Sequence, residues 1–421
     1  LSALKTKEYF KEIFSTNLKQ DAVIDAVRAI SVLSIIAFHV VVGIIQLYDF
    51  EQAKKYILDM PSILQPLWHG EKGVDAFFLI SATVLGLPLF KYLNQFDSKA
   101  ALTFYKKRFW RIYPLFLFAL VLYTAAQWSY FGKYFWSNLF LINNFIEGER
   151  TIIPVGWSLL VEVQYYALLP LLFFALKKTK HQMSLLWALI AASFAACTYR
   201  LVQNPELYLR PLTDIFLAED RSQFTTKLGH EFYEANLTRF GPFAVGLLLA
   251  YLRINKSEKL KEIFKSKILS VLALIFAALF IVYGSAIPVY HPLSFYYEQF
   301  TPEKNFLFLI TVRQVFAFGL MLLILGCWYS ENTVFKLINR VFHLRFWIPF
   351  SRLSFPIYLF HFPFIAVAAV AVFGTTDVKS ILSVSFPQGV AIFTLATVLT
   401  VIFSIPLYIY IERPLTERGK K

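Results

Sequence analysis

Arg28 and His39 stand eleven residues apart in a stretch, RAISVLSIIAFHV, that carries no other charge. A guanidinium binds oxyanions through a fork of N–H donors, and a neutral imidazole takes a proton from a hydroxyl. Eleven helical residues at about 100° each make three turns and roughly 20° more, so both side chains leave one face, about 16 Å apart along the axis. One face then joins a cationic mouth to a potential base at depth. Asp25, three residues before Arg28, is in register to pair with it.

Glu162, Arg313 and His361 also stand alone in long apolar runs. A charge at bilayer depth costs several kcal/mol, so such groups face the protein interior or a wet cavity. Counted along their helices, His39 lies roughly 18 Å and His361 roughly 16 Å from one side, and Glu162 roughly 13 Å from the other. In a hydrocarbon core of about 30 Å these three share one slab. A further cationic stretch, FYKKRFWRIYP, places Arg108 and Arg111 three residues apart on one face. With Arg28 they suit a polyanion such as a phosphorylated cofactor. The plainer reading of this stretch, including Lys106 and Lys107, is a set of positive membrane anchors.

These residues need helices to hold them. The chain has 421 residues, of which 57% are hydrophobic, and a mean hydropathy of +0.56. As soluble domains it would expose too much apolar surface, so a polytopic membrane protein is expected. The net charge of +14 does not mark a nucleic-acid binder, because the lysines and arginines cluster between apolar runs. Cys197 and Cys327 both lie in apolar runs and form neither a metal-ligand pair nor a disulfide framework. No resident cofactor or metal is implied. No cleavable signal-peptide pattern is present, so the first span is expected to direct insertion.

Runs of about 20 apolar residues cross a bilayer. They occur near 27–47, 73–90, 112–131, 153–176, 184–203, 238–253, 268–288, 307–328, 350–373 and 388–411, the second and sixth being short. With both termini cytoplasmic, the segments on that side hold 27 lysines and arginines and the opposite loops hold 11, as the positive-inside rule asks. The expected fold is all-α, a polytopic transmembrane helix bundle of about ten spans. Its parts are a cytoplasmic segment 1–26, a transmembrane domain 27–412 and a cytoplasmic tail 413–421. The loop 204–237 is long, mixed in character and extracytoplasmic, and is expected to form a small cap of short helices. Two spans, between Lys267 and His291 and between Lys379 and Glu412, carry no charged residue or histidine and are free to face lipid.

The segments RAISVLSIIAFH, GVDAFFLIS, FYKKRFWRIYP, VGWSLLVEVQYY, SRLSFPIYLFHFP and the closing ERP follow one another in this order. The set resembles the acyltransferase 3 family of integral membrane O-acyltransferases, from Arg28 to about Pro414. The resemblance implies transfer of an acyl group, often acetyl, from cytoplasmic acyl-coenzyme A to a hydroxyl of a cell-surface glycan across the membrane. It implies a bacterial inner membrane, an acyl-coenzyme A co-substrate, and a glycan or glycolipid acceptor such as lipopolysaccharide. The family's arginine and histidine on the first span map onto Arg28 and His39. Its tryptophan–serine–leucine–x–x–glutamate segment maps onto Trp157, Ser158, Leu159 and Glu162, and its glycine–valine–aspartate onto Gly73, Val74 and Asp75. Two positions depart from the pattern, Ala82 after Ser81 and Val163 after Glu162.

On this reading His39 is the base and Glu162 orients it or holds the acceptor. Arg28, Arg108 and Arg111 hold the donor's phosphates. Asp75, Trp157, Ser158 and His361 are the candidate acceptor contacts. The plainer readings are a helix N-terminal acid for Asp75, an interfacial anchor for Trp157 and a packed kink for His361. For Glu162 it is a buried acid paired with Arg239 or Arg313. A covalent acyl-enzyme on His39 or Ser158 is a second route. The competing function class is a proton-coupled transporter or flippase, which buried His, Glu and Arg also suit. No internal repeat supports it.

Overall fold

The computed structural model describes residues 3–15, 21–46, 69–146, 151–209, 227–285, 301–377, 381 and 383–419. An amphipathic helix α1 (Ala3–Phe14) precedes the bundle. The spans follow as α2 (Ala22–Gln46), α3 (Lys72–Lys91), α4 (Ser98–Ala126), α5 (Gly156–Lys178) and α6 (Gln182–Gln203). After them come α7 (Asn236–Asn255), α8 (Lys267–Ser285), α9 (Pro302–Tyr329), α10 (Ser354–Phe373) and α11 (Phe386–Leu407). A π turn, Tyr408–Glu412, and a short helix α12 (Arg413–Arg418) close the chain. Ten helices are long and apolar enough to span a membrane, and no strand occurs among the described residues. Residues 210–226 of the 204–237 loop lie outside the described residues; on either side of them Glu206–Leu209 and Gly229–Tyr233 form short helical turns.

The two shortest expected spans prove to be the centre of the bundle. The apolar windows of α3 and α7 are 67% and 72% buried, against 17% for α8. Lipid is as apolar as leucine, so helices associate in it by close packing and hydrogen bonds. α3 and α7 do both. A Cβ on Gly246 would lie 2.2 Å from the Leu79 carbonyl oxygen, so only glycine permits this approach. Across it the Thr83 hydroxyl donates to the Gly246 carbonyl at 3.1 Å. The uncharged α8 lies at the periphery, where its low burial leaves most of its side chains to lipid.

α4 starts at Ser98, well before the apolar run expected from 112. Asp97 caps it by accepting from the Ala100 amide at 2.8 Å. Hydropathy fades at the lysines and arginines while helix propensity does not. Arg108 and Arg111 are therefore fixed on a continuous helix. At the other end of the chain, Pro406 precedes the π turn, which puts buried Tyr408 and Glu412 on the inner side. α1 is tied beneath this turn. Glu12 pairs with Arg413, and the Tyr9 hydroxyl donates to Glu417 at 2.8 Å.

Candidate functional site

A cavity of about 770 Å³ opens at the arginine-rich end of the bundle. Five arginines line it, Arg28, Arg108, Arg111, Arg352 and Arg413, against three acids, Glu12, Glu162 and Glu412. Most of these charges have partners. Arg28 lies 3.4 Å from Asp25, as its register predicts, and 3.4 Å from the Ser351 hydroxyl. Arg111 stands 4.0 Å from Glu412, and Arg413 is held by Glu12 and Glu417. Arg108 and Arg352 make no ion pair among the described residues. Cationic forks without a counterion at a cavity wall suit an anionic ligand.

The cavity narrows inward to Ser81, Ser158, Glu162, Tyr166 and Tyr358. Ser81 donates to Glu162 Oε1 at 2.6 Å, and the Tyr166 hydroxyl donates to the same oxygen. Tyr166 follows Glu162 by four residues, so α5 stacks the two on one face. Ser81 comes from α3. The carboxylate is thus held by hydroxyls alone. Beside it, Ser158 and Tyr358 share a hydroxyl–hydroxyl bond of 2.6 Å. Tyr358 packs edge-on against Phe77, with ring centres 6.0 Å apart.

His39 is absent from the cavity lining. Its Nδ1 lies 2.8 Å from Nε2 of His361, which is fully buried on α10. His361 Nδ1 in turn lies 2.8 Å from the Tyr358 carbonyl oxygen and 3.2 Å from that of Ile357. The Tyr358 ring, which does line the cavity, sits 6.0 Å from the His361 ring. Helical register had Arg28 and His39 lining one continuous passage. In the structure neither histidine lines the cavity, and Tyr358, whose ring packs on Phe77, is the lining residue in ring contact with His361. Arg28 and His39 do share α2, but of the two only Arg28 lines the cavity.

Asp75 is placed differently from the open outer mouth that was expected. It is fully buried and lines neither cavity described here. Its Oδ1 lies 2.9 Å from Arg239 Nη1 and 3.7 Å from Arg313 Nη1. Arg239 is also fully buried, stacked over Trp157 at 4.7 Å and Tyr233 at 4.2 Å. The arginines considered as partners for Glu162 therefore belong to Asp75. The reason is geometric: α3, α7 and α9 meet here, while Glu162 projects from α5 toward the cavity. Just outside α3, burial pushes the Glu71 carboxyl up, but the Lys72 ammonium and His69 outweigh it and hold it at about 2.

A second cavity, of about 640 Å³, lies between α5, α6 and α7. Trp157 lines it, with four amides at its polar end: Asn143, Asn144, Gln164 and Asn236. Three of these bond to one another, Asn144 donating to Asn236 and Gln164 to Asn144, each at 3.0 Å, while Asn143 donates to the Thr151 hydroxyl at 3.0 Å. Leu168, Leu172, Leu189 and Leu247 form the apolar remainder. α5 thus separates two chambers, with Glu162 facing one and Gln164 the other.

Several lining groups escaped the sequence reading. Neither Arg352 nor Glu12 stands out in the sequence, each lying in a charged segment rather than alone in an apolar run. Ser81 and Tyr166 were visible beside Asp75 and Glu162, and the four-residue step from Glu162 to Tyr166 carried the signal. In SRLSFPIYLFHFP, Tyr358 precedes His361 by three residues, which is again one helix face. Nothing in the sequence points to the amide cluster.

Neither a curated protein nor a solved structure matches the chain significantly. The family model for the acyltransferase domain of the acyltransferase 3 family matches residues 21–409. That span takes in every cavity-lining residue named above except Glu12, Glu412 and Arg413. It decides between acyl transfer and transport, and the chain belongs to the acyltransferase 3 family: it is a multi-pass membrane acyltransferase.

Proposed function

We propose that the protein takes an acyl group, acetyl by preference, from cytoplasmic acyl-coenzyme A and passes it to a hydroxyl of an extracytoplasmic or cell-surface glycan, working in a bacterial inner membrane. The observation that carries this reading is the arginine-lined cavity, which leads from the basic end of the bundle to a cluster of hydroxyls around one carboxylate. Coenzyme A is a polyanion on a long flexible arm. Arg28, Arg108 and Arg111 would hold its phosphates, joined by Arg352. The arm would carry the thioester inward toward Ser158 and Tyr358.

His39 is the base in this scheme. It takes the proton of the acceptor hydroxyl, the oxygen attacks the thioester carbonyl and the carbon–sulfur bond breaks. The departing thiolate recovers the proton from His39, so the products are an ester and free coenzyme A. For acceptor and thioester to meet at His39, the Tyr358 ring between His361 and the cavity has to move aside. Glu162, Ser81 and Tyr166 hold polar groups at the inner end of the cavity. The second cavity suits the acceptor, since neutral amides beside Trp157 are suited to sugar hydroxyls and the leucine-lined part to a lipid tail. Asp75 is assigned to anchoring Arg239 and Arg313.

The experiment is transfer from radiolabelled acetyl-coenzyme A to a glycan acceptor by purified protein in liposomes. His39→Ala is expected to lower transfer by at least about 100-fold. Equal transfer by the wild type and His39→Ala removes His39 as base, and no transfer from any acyl-coenzyme A removes the donor assignment.

A further inference from the structure

The bond between His39 and His361 decides which nitrogen of His39 is free to act. Carbonyl oxygens only accept hydrogen bonds. His361 Nδ1 lies against two of them, those of Tyr358 at 2.8 Å and Ile357 at 3.2 Å, so it carries the hydrogen. In a neutral imidazole the other nitrogen is then bare. His361 Nε2 is accordingly an acceptor, and its partner 2.8 Å away, His39 Nδ1, is the donor. That leaves His39 Nε2 with an open lone pair.

Ring geometry agrees. The ring centres are 5.0 Å apart and the planes differ by 24°. Two imidazoles joined nitrogen to nitrogen along one line give such a separation, with the N–H of one aimed at the in-plane lone pair of the other. His361 is fully buried and is rigidly placed by the backbone of its own helix. His39 sits between this anchor and Phe362, whose ring lies 4.6 Å away.

We propose that His361 is a positioning residue that holds His39 in the Nδ1–H tautomer and so makes His39 Nε2 the proton-accepting atom. This rests on the acyl-transfer reading above and assigns His361 a role other than contact with the acceptor. The chain runs from His39 Nδ1–H to His361 Nε2, and from His361 Nδ1–H to the Tyr358 carbonyl. When Nε2 takes the acceptor proton, the resulting imidazolium still donates through Nδ1 to a neutral, oriented partner. When the thiolate recovers that proton, the starting tautomer returns. A carboxylate would orient the ring equally well, but an ionised carboxylate at bilayer depth carries a desolvation cost that a neutral imidazole avoids. The anchor also explains why Tyr358 matters twice, through its ring at the cavity and its carbonyl on His361.

Two measurements test this. Solid-state 15N spectra of histidine-labelled protein in liposomes are expected to show His39, assigned by difference with His39→Gln, as the Nδ1–H tautomer. In His361→Leu that signal should move to the Nε2–H form. Finding His39 as Nε2–H in the wild type overturns the proposal, and so does an unchanged tautomer in His361→Leu. This readout needs no substrate, so it stands or falls apart from the choice of donor and acceptor. The second measurement is kinetic. His361→Leu is expected to lower kcat by about 100-fold while donor KM holds. His361→Gln, whose side-chain oxygen can accept from His39 Nδ1–H, should recover most of the loss. Equal loss in both variants, with unchanged thermal stability, overturns the positioning role.

Discussion

Asp75 and Glu162 are carboxylates on membrane-spanning helices of this bundle, and their surroundings are opposite. Asp75 is sealed where α3, α7 and α9 meet, its charge matched by two arginines and its surface removed from both cavities. Glu162 lines the open cavity, is held by the hydroxyls of Ser81 and Tyr166, and makes no ion pair among the described residues. A buried ion pair holds helices in register, and removing one member leaves an uncompensated charge. A carboxylate held by neutral donors beside a wet cavity keeps its charge available to a ligand. One acid therefore belongs to the fold and the other to the chemistry, although in sequence both are single acids in apolar runs.

The largest expected effect is on the sealed side. Asp75→Asn strands Arg239 and Arg313 and should destabilise the protein by about 3–5 kcal/mol, read as loss of folded protein in detergent thermal melts. A melt within a few degrees of the wild type would mean that Asp75 is not the anchor. Glu162→Gln comes next and inverts the pattern. Stability should change by less than about 1 kcal/mol, because Gln keeps an oxygen for both hydroxyls, while transfer falls by about 100-fold. Should stability collapse and turnover persist, the two acids have been assigned the wrong way round. Smallest is Arg352→Ala at the cavity wall. Losing one charge-assisted contact worth about 1.5 kcal/mol should weaken donor binding roughly tenfold, and the deficit should shrink in high salt. Calorimetry with coenzyme A reads this directly, and unchanged affinity would restrict the donor site to the other arginines.

Much of this fold is legible along the chain, because hydropathy, helical period and charge bias are local properties. The ten spans follow from apolar runs, with ends shifted mainly where polar helix continues past the apolar stretch, as in α4. The Asp25–Arg28 contact follows from a three-residue step. The peripheral position of α8 follows from its lack of any charged residue or histidine after Lys267. The centrality of α3 and α7 was not legible. Short apolar runs read as doubtful spans, whereas small residues such as Gly246 let the two helices pack closely, as the most extensive helix pair among the described residues.

The candidate site divides in the same way. By itself the sequence determined the residue types, the family motifs and the spans that carry His39, Glu162 and His361. It also determined which ionisable residues share a helical face, because each of these is a property of a single helix or of residue order. Only the tertiary structure decided who faces whom. His39 bonds to a residue 322 positions away, and Asp75 to one 164 positions away. The ring pair Phe77–Tyr358 at the cavity joins α3 to α10, and His39 stays off the cavity lining. Such pairings depend on how each helix is rotated against its neighbours, and that rotation is fixed by packing and hydrogen bonds between helices, which no single helix encodes.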